Sequence, residues 1–247
     1  EGDIRLGLDA IGAALGDLRR PSRGGDIAKV KSWEAGQTQA IKPQSDYAEV
    51  LRTHIDDDAT LVSELTQVGY FSSVAYPVNR PRTFVTPGYQ GTLGYGFPTA
   101  LGVAAGAPDK RTVSITGDGG FGWGLNDLAT AAKYKLNLTT VVFADNRFGN
   151  VQRIQRRTFG REFAVELTNP DYQLLGKAFG IRTAQVRSPA ELAGALEAAR
   201  EAGGPALIEV QVGEMPSPWA LIHAFVPPVT PPPPNPLGEP APRTQEA

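Results

Sequence analysis

Two short β-branched runs, RTVSIT at 111–116 and TTVVFA at 139–144, constrain the fold of this chain more than any other feature. Each stops at polar residues: the first runs into Asp118 within GDGG, the second into Asp145-Asn146. Apolar runs of this length, bounded by glycine and acidic residues, read as strands buried on both faces. Asn146 follows Asp118 by 28 residues, room for one helical crossover, so the two strands are expected to be parallel neighbours. Parallel neighbours lie about 4.8 Å apart. Their polar ends therefore meet over one point.

The rest of the chain repeats this alternation. A helix over 47–55 leads to the strand TLVSE (60–64), a short strand TFVT (83–86) and a glycine-rich helix over 92–105. A helix over 123–135 joins the two diagnostic strands. A helix from Gly149, another over 171–179, the strand IRTAQV (181–186), a helix over 189–202 and the strand ALIEVQV (206–212) follow. The pattern defines an α/β fold, a parallel sheet with helices on both faces. Ligands of such sheets bind at the carboxyl ends of the strands, near a topological switch point. At the start of the chain, Leu8, Ile11, Leu15 and Leu18 recur at helical spacing after a candidate strand IRL at 4–6, and 21–44 reads as a connector. Residues 227–247 hold nine of the 21 prolines and read as an extended or disordered tail.

Composition narrows the chemistry. The formal charge of −2 offers no basic surface for nucleic acid, and no apolar run approaches the roughly 18 residues of a membrane span. There is no cysteine, which excludes disulfides and thiolate chemistry and suits a cytoplasmic setting. The two histidines, His54 in the 47–55 helix and His223 near the tail, argue against a serine triad or a multi-histidine metal site.

A carboxylate at the edge of a low-dielectric interior needs a partner. A lone GDG also serves as a tight turn with Asp118 capping the next helix. The second polar pair at the end of the neighbouring strand favours another reading. One carboxylate and one amide oxygen are hard donors suited to Mg²⁺ when phosphate oxygens and water complete its shell. Gly117, Gly119 and Gly120 let backbone N–H groups approach a phosphate, and the helix starting at Gly149-Asn150 adds a positive dipole end. These features together describe a Mg²⁺–diphosphate site.

GDG, 25 intervening residues, then DN resembles the motif of thiamine diphosphate (ThDP) enzymes, usually written GDG-x(24–27)-NN. Asp145 stands where the first asparagine is common. PGYQGTLGYGFPTALG and DNRFGNVQRIQ are similar to the acetolactate synthase and benzoylformate decarboxylase branch of that family. The resemblance implies a diphosphate-binding (PP) domain over 41–226, with 1–40 as the end of a central domain plus connector. It implies Asp118 and Asn146 as Mg²⁺ ligands, with the Phe148 carbonyl. Gly119, Gly120 and Val151 would offer N–H groups to the diphosphate, and Gln67 stands at a position that often meets the phosphate end. Gly91 would accept the cofactor's exocyclic amine, and Leu93 would be the apolar wedge that bends the cofactor. Gln152 occupies a position where some relatives carry a glutamate near the substrate; glutamine can hydrogen-bond there but not shuttle a proton.

The activity implied is decarboxylation of a small 2-oxo acid, carboligation, or both. The family's pyrimidine-binding (PYR) domain, whose glutamate acts on the cofactor, has no counterpart motif in this sequence; Glu64 does not lie in one. The resemblance thus implies half a site, completed by a PYR domain of another chain or of a missing N-terminal part, in a homo- or hetero-oligomer. Use of FAD, bound by the central domain of some relatives, cannot be read from residues 1–40. Two rival readings are a Rossmann-type nucleotide enzyme using GDGGFG, whose spacing does not match G-x-G-x-x-G, and a non-catalytic assembly domain.

Overall fold

A computed structural model describes residues 2–218 and Gly238; the proline-rich 227–247 tail and His223 lie outside the described residues. The chain divides after Gly36 into two compact units. The first contains α1 (Ile4–Leu15) and most of α2 (Gly24–Gln39). The candidate strand at 4–6 is thus the first turn of α1, whose N-cap Asp3 accepts a hydrogen bond from Leu6 N. Much of the expected connector is helical as α2, whose apolar residues follow no helical stripe and so gave no periodic signal. In α1, Leu8, Ile11 and Leu15 share the expected face, and all three are exposed.

The second unit is an α/β sandwich. In chain order it comprises α3 (Gln44–His54), β1 (Thr60–Ser63), α4 (Gln67–Ala75), β2 (Phe84–Val85), α5 (Gly96–Gly106), β3 (Thr112–Gly117), the short α6 (Asp118–Phe121), α7 (Leu128–Tyr134) and β4 (Leu138–Ala144). Then come α8 (Gly149–Phe159), α9 (Tyr172–Ala178), β5 (Arg182–Val186), α10 (Pro189–Ala202) and β6 (Ala206–Gln211). Among the described residues six strands form one sheet, all parallel, in the order β2-β1-β3-β4-β6-β5.

Successive residues of a strand face opposite sides, and here they feed two cores. Leu61, Val113, Ile115, Val141 and Ile208 pack with Leu51 of α3, Val68 of α4 and Leu196 of α10. Val62, Val142 and Leu207 face the other way, onto Phe97 of α5, Leu128 of α7 and Tyr172 of α9. Both sheet faces are therefore covered, as continuous apolar strands require.

Two expected helices are shorter than the sequence suggested. The 92–105 helix begins only at Gly96, because Gly91 and Gly94 hold left-handed backbone (φ 56° and 78°) in a turn before it. The 123–135 helix is replaced by a turn at Gly122–Gly124, a 3₁₀ turn at Leu125–Asp127 and α7. Register places Gly117 of β3 opposite Phe143 of β4, so the two diagnostic strands end level. The chain leaves β1 toward β2 on one side and returns to β3 on the other, which makes the β1/β3 junction the switch point.

Candidate functional site

A cavity of about 250 Å³ opens at that junction, on the carboxyl side of the sheet. Its walls come from Glu64–Gln67 after β1, Gly91–Leu93, Gly117–Gly120 after β3, and Asp145 with Arg147–Val151 after β4. Val212, Pro216 and Pro218, beyond β6, close one side. Of the residues singled out from sequence, Gln67, Gly91, Leu93, Gly117, Asp118, Gly119, Gly120, Phe148, Asn150 and Val151 line it.

The two strand ends meet as their spacing requires. Asp118 is buried at 3% exposure, and its Oδ2 accepts hydrogen bonds from Asn146 N (2.7 Å) and Asn169 Nδ2 (2.7 Å). Its Oδ1 accepts from Gly119 N (2.9 Å). Asn169 also donates to Asn146 Oδ1 (2.9 Å), so a third polar side chain ties the pair together. Asn146 itself adopts left-handed backbone (φ 60°), a conformation asparagine tolerates better than most residues. The 146–148 turn is strapped to 165–167: Phe148 N donates to Val165 O, Leu167 N to Asn146 O, and Arg147 pairs with Glu166 across an antiparallel bridge. That strap is what delivers Asn169.

The electrostatics are one-sided. Burial raises the Asp118 pKa, against the lowering effect of its three hydrogen-bond donors. Asp145 is pushed up to about 6, first by burial and then by the negative charge of Asp118. Among the described residues neither carboxylate belongs to an ion pair. Nor do three His, Cys, Asp or Glu side chains gather as a metal cluster among them. Any cation here would rely on one or two carboxylates plus neutral oxygens.

The remaining expected residues divide by surroundings. Gln67 has its amide committed to protein: Nε2 donates to Asp145 Oδ2 (3.0 Å) and Gly213 O (3.4 Å), and Oε1 accepts from Met215 N (2.8 Å). Leu93 is half exposed on the cavity wall, and Val151 stands at the N-terminal turn of α8, which has no side-chain cap. The Phe148 carbonyl accepts from Gln152 N, the first bond of α8. Gln152 is buried and outside the lining; its Oε1 accepts from Arg147 Nη1 (3.4 Å), and Arg147 is on the wall. Leu93 and Val151 on the cavity wall are exposed, as are Tyr89, Trp123 and Ile154, which are close in sequence to residues of that wall.

Two glycines of GDGG are also required by packing within the protein. A Cβ on Gly119 would fall 2.7 Å from the Phe148 ring, and one on Gly120 would fall 2.3 Å from the Glu64 carboxylate. Protein neighbours already demand glycine at both positions. Asn169 carries no reading from sequence, and Glu64 is read there only as lying outside a PYR motif. Asn169 lies in an irregular stretch where only the turn signal Asn-Pro hinted at structure, and Glu64 is one carboxylate after a strand, without a motif.

Residues 66–210 match the family model described as thiamine pyrophosphate enzyme, C-terminal TPP binding domain. The chain is 28% identical over 179 residues to the acetolactate synthase isozyme 1 large subunit of Escherichia coli, covering 70% of this chain and 32% of that one. It is 31% identical over 182 residues to the isozyme 3 large subunit of the same organism, covering 70% and 32%. Among solved structures, benzoylformate decarboxylase from Polynucleobacter necessarius superposes with a TM-score of 0.65 at 25% identity, covering 71% of this chain and 34% of that one. The chain spans about a third of the length of these relatives.

Proposed function

Since the chain belongs to the thiamine pyrophosphate enzyme family through the C-terminal TPP binding domain, we propose that its second unit holds the diphosphate end of ThDP together with Mg²⁺. The observation that carries this reading is the convergence of Asp118, Asn146 and Asn169 at the carboxyl ends of β3 and β4, next to the β1/β3 switch point. The donor types fit the group: Asp118 and Phe148 line the cavity, while Asn146 lies outside its lining with Oδ1 accepting from Asn169. Two carboxylates with raised pKa values and no ion pair among the described residues favour a cation, and amide and carbonyl oxygens beside them are the hard donors Mg²⁺ prefers. The uncapped N-terminus of α8 offers N–H groups and a positive dipole end to phosphate.

In this reading Asp118, Asn146 and the Phe148 carbonyl hold the metal. Backbone N–H groups at Gly117–Gly120, Asn150 and Val151 face the diphosphate. Gly91 would accept the cofactor's amine, and Leu93 would pack against the cofactor from the same wall. Gln67 supports the phosphate end from behind, through Asp145. Gln152 acts through Arg147, which it orients toward the substrate side. Bound ThDP supplies the electron sink for decarboxylating a small 2-oxo acid, or for joining the product to a second carbonyl. The protein's own part is orientation and exclusion of water.

The exposed apolar surface at Tyr89, Leu93, Trp123, Val151 and Ile154 supports completion of the site by a PYR domain, carried by another chain or by another part of a longer polypeptide. That arrangement makes the working form an oligomer or a larger chain. The PP domain proposed for 41–226 and a central-domain end at 1–40 follow from the same reading, and the cysteine-free composition suits a cytoplasmic setting. Among the described residues no helix is long and apolar enough to cross a membrane. A thermal-shift comparison tests the cofactor: ThDP with Mg²⁺ is expected to raise the melting temperature where NAD does not, and the reverse order would favour the nucleotide-enzyme reading.

A further inference from the structure

Four consecutive residues at the end of β1 each reach a different part of the cavity wall. Glu64 is buried at 3% exposure; its Oε1 accepts from Gly94 N (2.7 Å) and its Oε2 from Gly96 N (3.4 Å). The Thr116 hydroxyl is hydrogen-bonded to Oε2 as well. Leu65 lies under Gly91, where a Cβ would meet its Cδ1 at 2.8 Å. Thr66 lies beside Gly117, and Gln67 holds Asp145 and Met215 N. Glu64 is in no ion pair among the described residues.

Burying a carboxylate costs stability unless hydrogen bonds repay it. Here the donors adjoin two wall segments: Gly94 in the turn that bears Gly91 and Leu93, Gly96 at the start of α5 just after that turn, and Thr116 in β3 just before Gly117–Gly120. The turn contains two left-handed glycines and lies between elements, so no helix or strand ladder sets its position. Gly120 closes against the other side of the same carboxylate, within 2.6 Å of both oxygens for any added Cβ. An apolar residue could fill the volume, but it would leave the Gly94 and Gly96 N–H groups without these partners.

We infer that Glu64 is a positioning residue for the cofactor: it fixes the Gly91–Gly96 turn against the Gly117–Gly120 segment, and so sets the distance between the grips on the two ends of ThDP. The inference rests on the ThDP reading above. It concerns the pyrimidine end, whereas Asp118 and α8 serve the diphosphate end.

The test is calorimetric titration of the 247-residue chain with two probes, Mg²⁺–ThDP and Mg²⁺–pyrophosphate. Gly94 N and Gly96 N bond to different oxygens of Glu64, and glutamine replaces one of those oxygens with a donating NH₂, so the N–H group facing it loses its acceptor. Glu64→Gln is therefore expected to weaken ThDP binding about tenfold, while pyrophosphate binding stays within about twofold. A general loss of structure would move both probes together. If Glu64→Gln does not fold, Thr116→Val, which removes one bond to the carboxylate, should show a smaller loss confined to ThDP. Equal losses for the two probes, no loss for either, or a wild type that binds ThDP no better than pyrophosphate overturns the inference. A wild type that binds neither probe contradicts the cofactor reading itself.

Discussion

Replacing Gly120 with alanine tests whether the GDGG segment is glycine-rich for its own packing. The added Cβ would lie 2.3 Å from Glu64 Oε1, 2.5 Å from Cδ and 2.6 Å from Oε2. Restoring an ordinary contact requires the carboxylate to retreat by about 1 Å, which stretches its 2.7 Å bond from Gly94 N beyond hydrogen-bonding range. Orphaning this part-buried N–H costs up to about 1–3 kcal/mol, and alanine's better helix propensity returns up to about 1 kcal/mol. The net expectation is a loss of about 1–2 kcal/mol in urea unfolding followed by circular dichroism. Gly122→Ala is the control: its Cβ meets nothing closer than Asp118 O at 3.4 Å, so stability should stay within about 0.5 kcal/mol. If the clash with Glu64 is the cause, Gly120→Ala should cost less on a Glu64→Ala background than on the wild type. A Gly120→Ala chain as stable as the Gly122→Ala chain would refute the packing argument, as would strict additivity in the cycle.

Asn169→Ala removes the donor shared by Asp118 and Asn146; calorimetry should show weaker Mg²⁺–pyrophosphate binding, by about tenfold. Gln67→Ala cuts the bonds that fasten Gly213 and Met215, so the Met215 amide should exchange with deuterium at least tenfold faster while amides in the middle of β4 keep their protection. In Ser188→Ala the N-cap of α10 loses its bond from Glu191 N, and urea unfolding should register a loss of about 1 kcal/mol with cofactor affinity unchanged. The chain alone, supplied with ThDP, Mg²⁺ and a 2-oxo acid such as pyruvate, should release no CO₂ above background, since the proposed PYR half of the site is outside it.

Strands β3 and β4 were legible because their pattern is local: β-branched residues fill a doubly covered strand, and the polar stop marks its carboxyl end. The crossover length then gave the parallel pairing of their tips, which is a long-range fact. Helix α4 was missed since its nine residues, QVGYFSSVA, carry no polar face to set a period. Helix α5 starts later than the pattern suggested because a left-handed turn, set by tertiary contacts of Gly91 and Gly94, occupies its expected first residues. The same limit applies to the site. Asp118 and Asn146 announce themselves by position, but Glu64 matters through partners 30 or more residues away and Asn169 through partners 23 and 51 residues away. Nothing local marks such residues, and Gln152 shows the converse: a motif position that the structure buries behind Arg147.

The central claim is that Asp118 binds a divalent cation which in turn binds the diphosphate. Titrating ThDP into the wild-type chain and into Asp118→Ala, each with Mg²⁺ and again with EDTA, tests it most directly. Binding by the wild type that needs Mg²⁺, and its loss in an Asp118→Ala chain with an unchanged circular dichroism spectrum, is the outcome the geometry requires. Equal affinity in the two chains, or binding indifferent to EDTA, would contradict it.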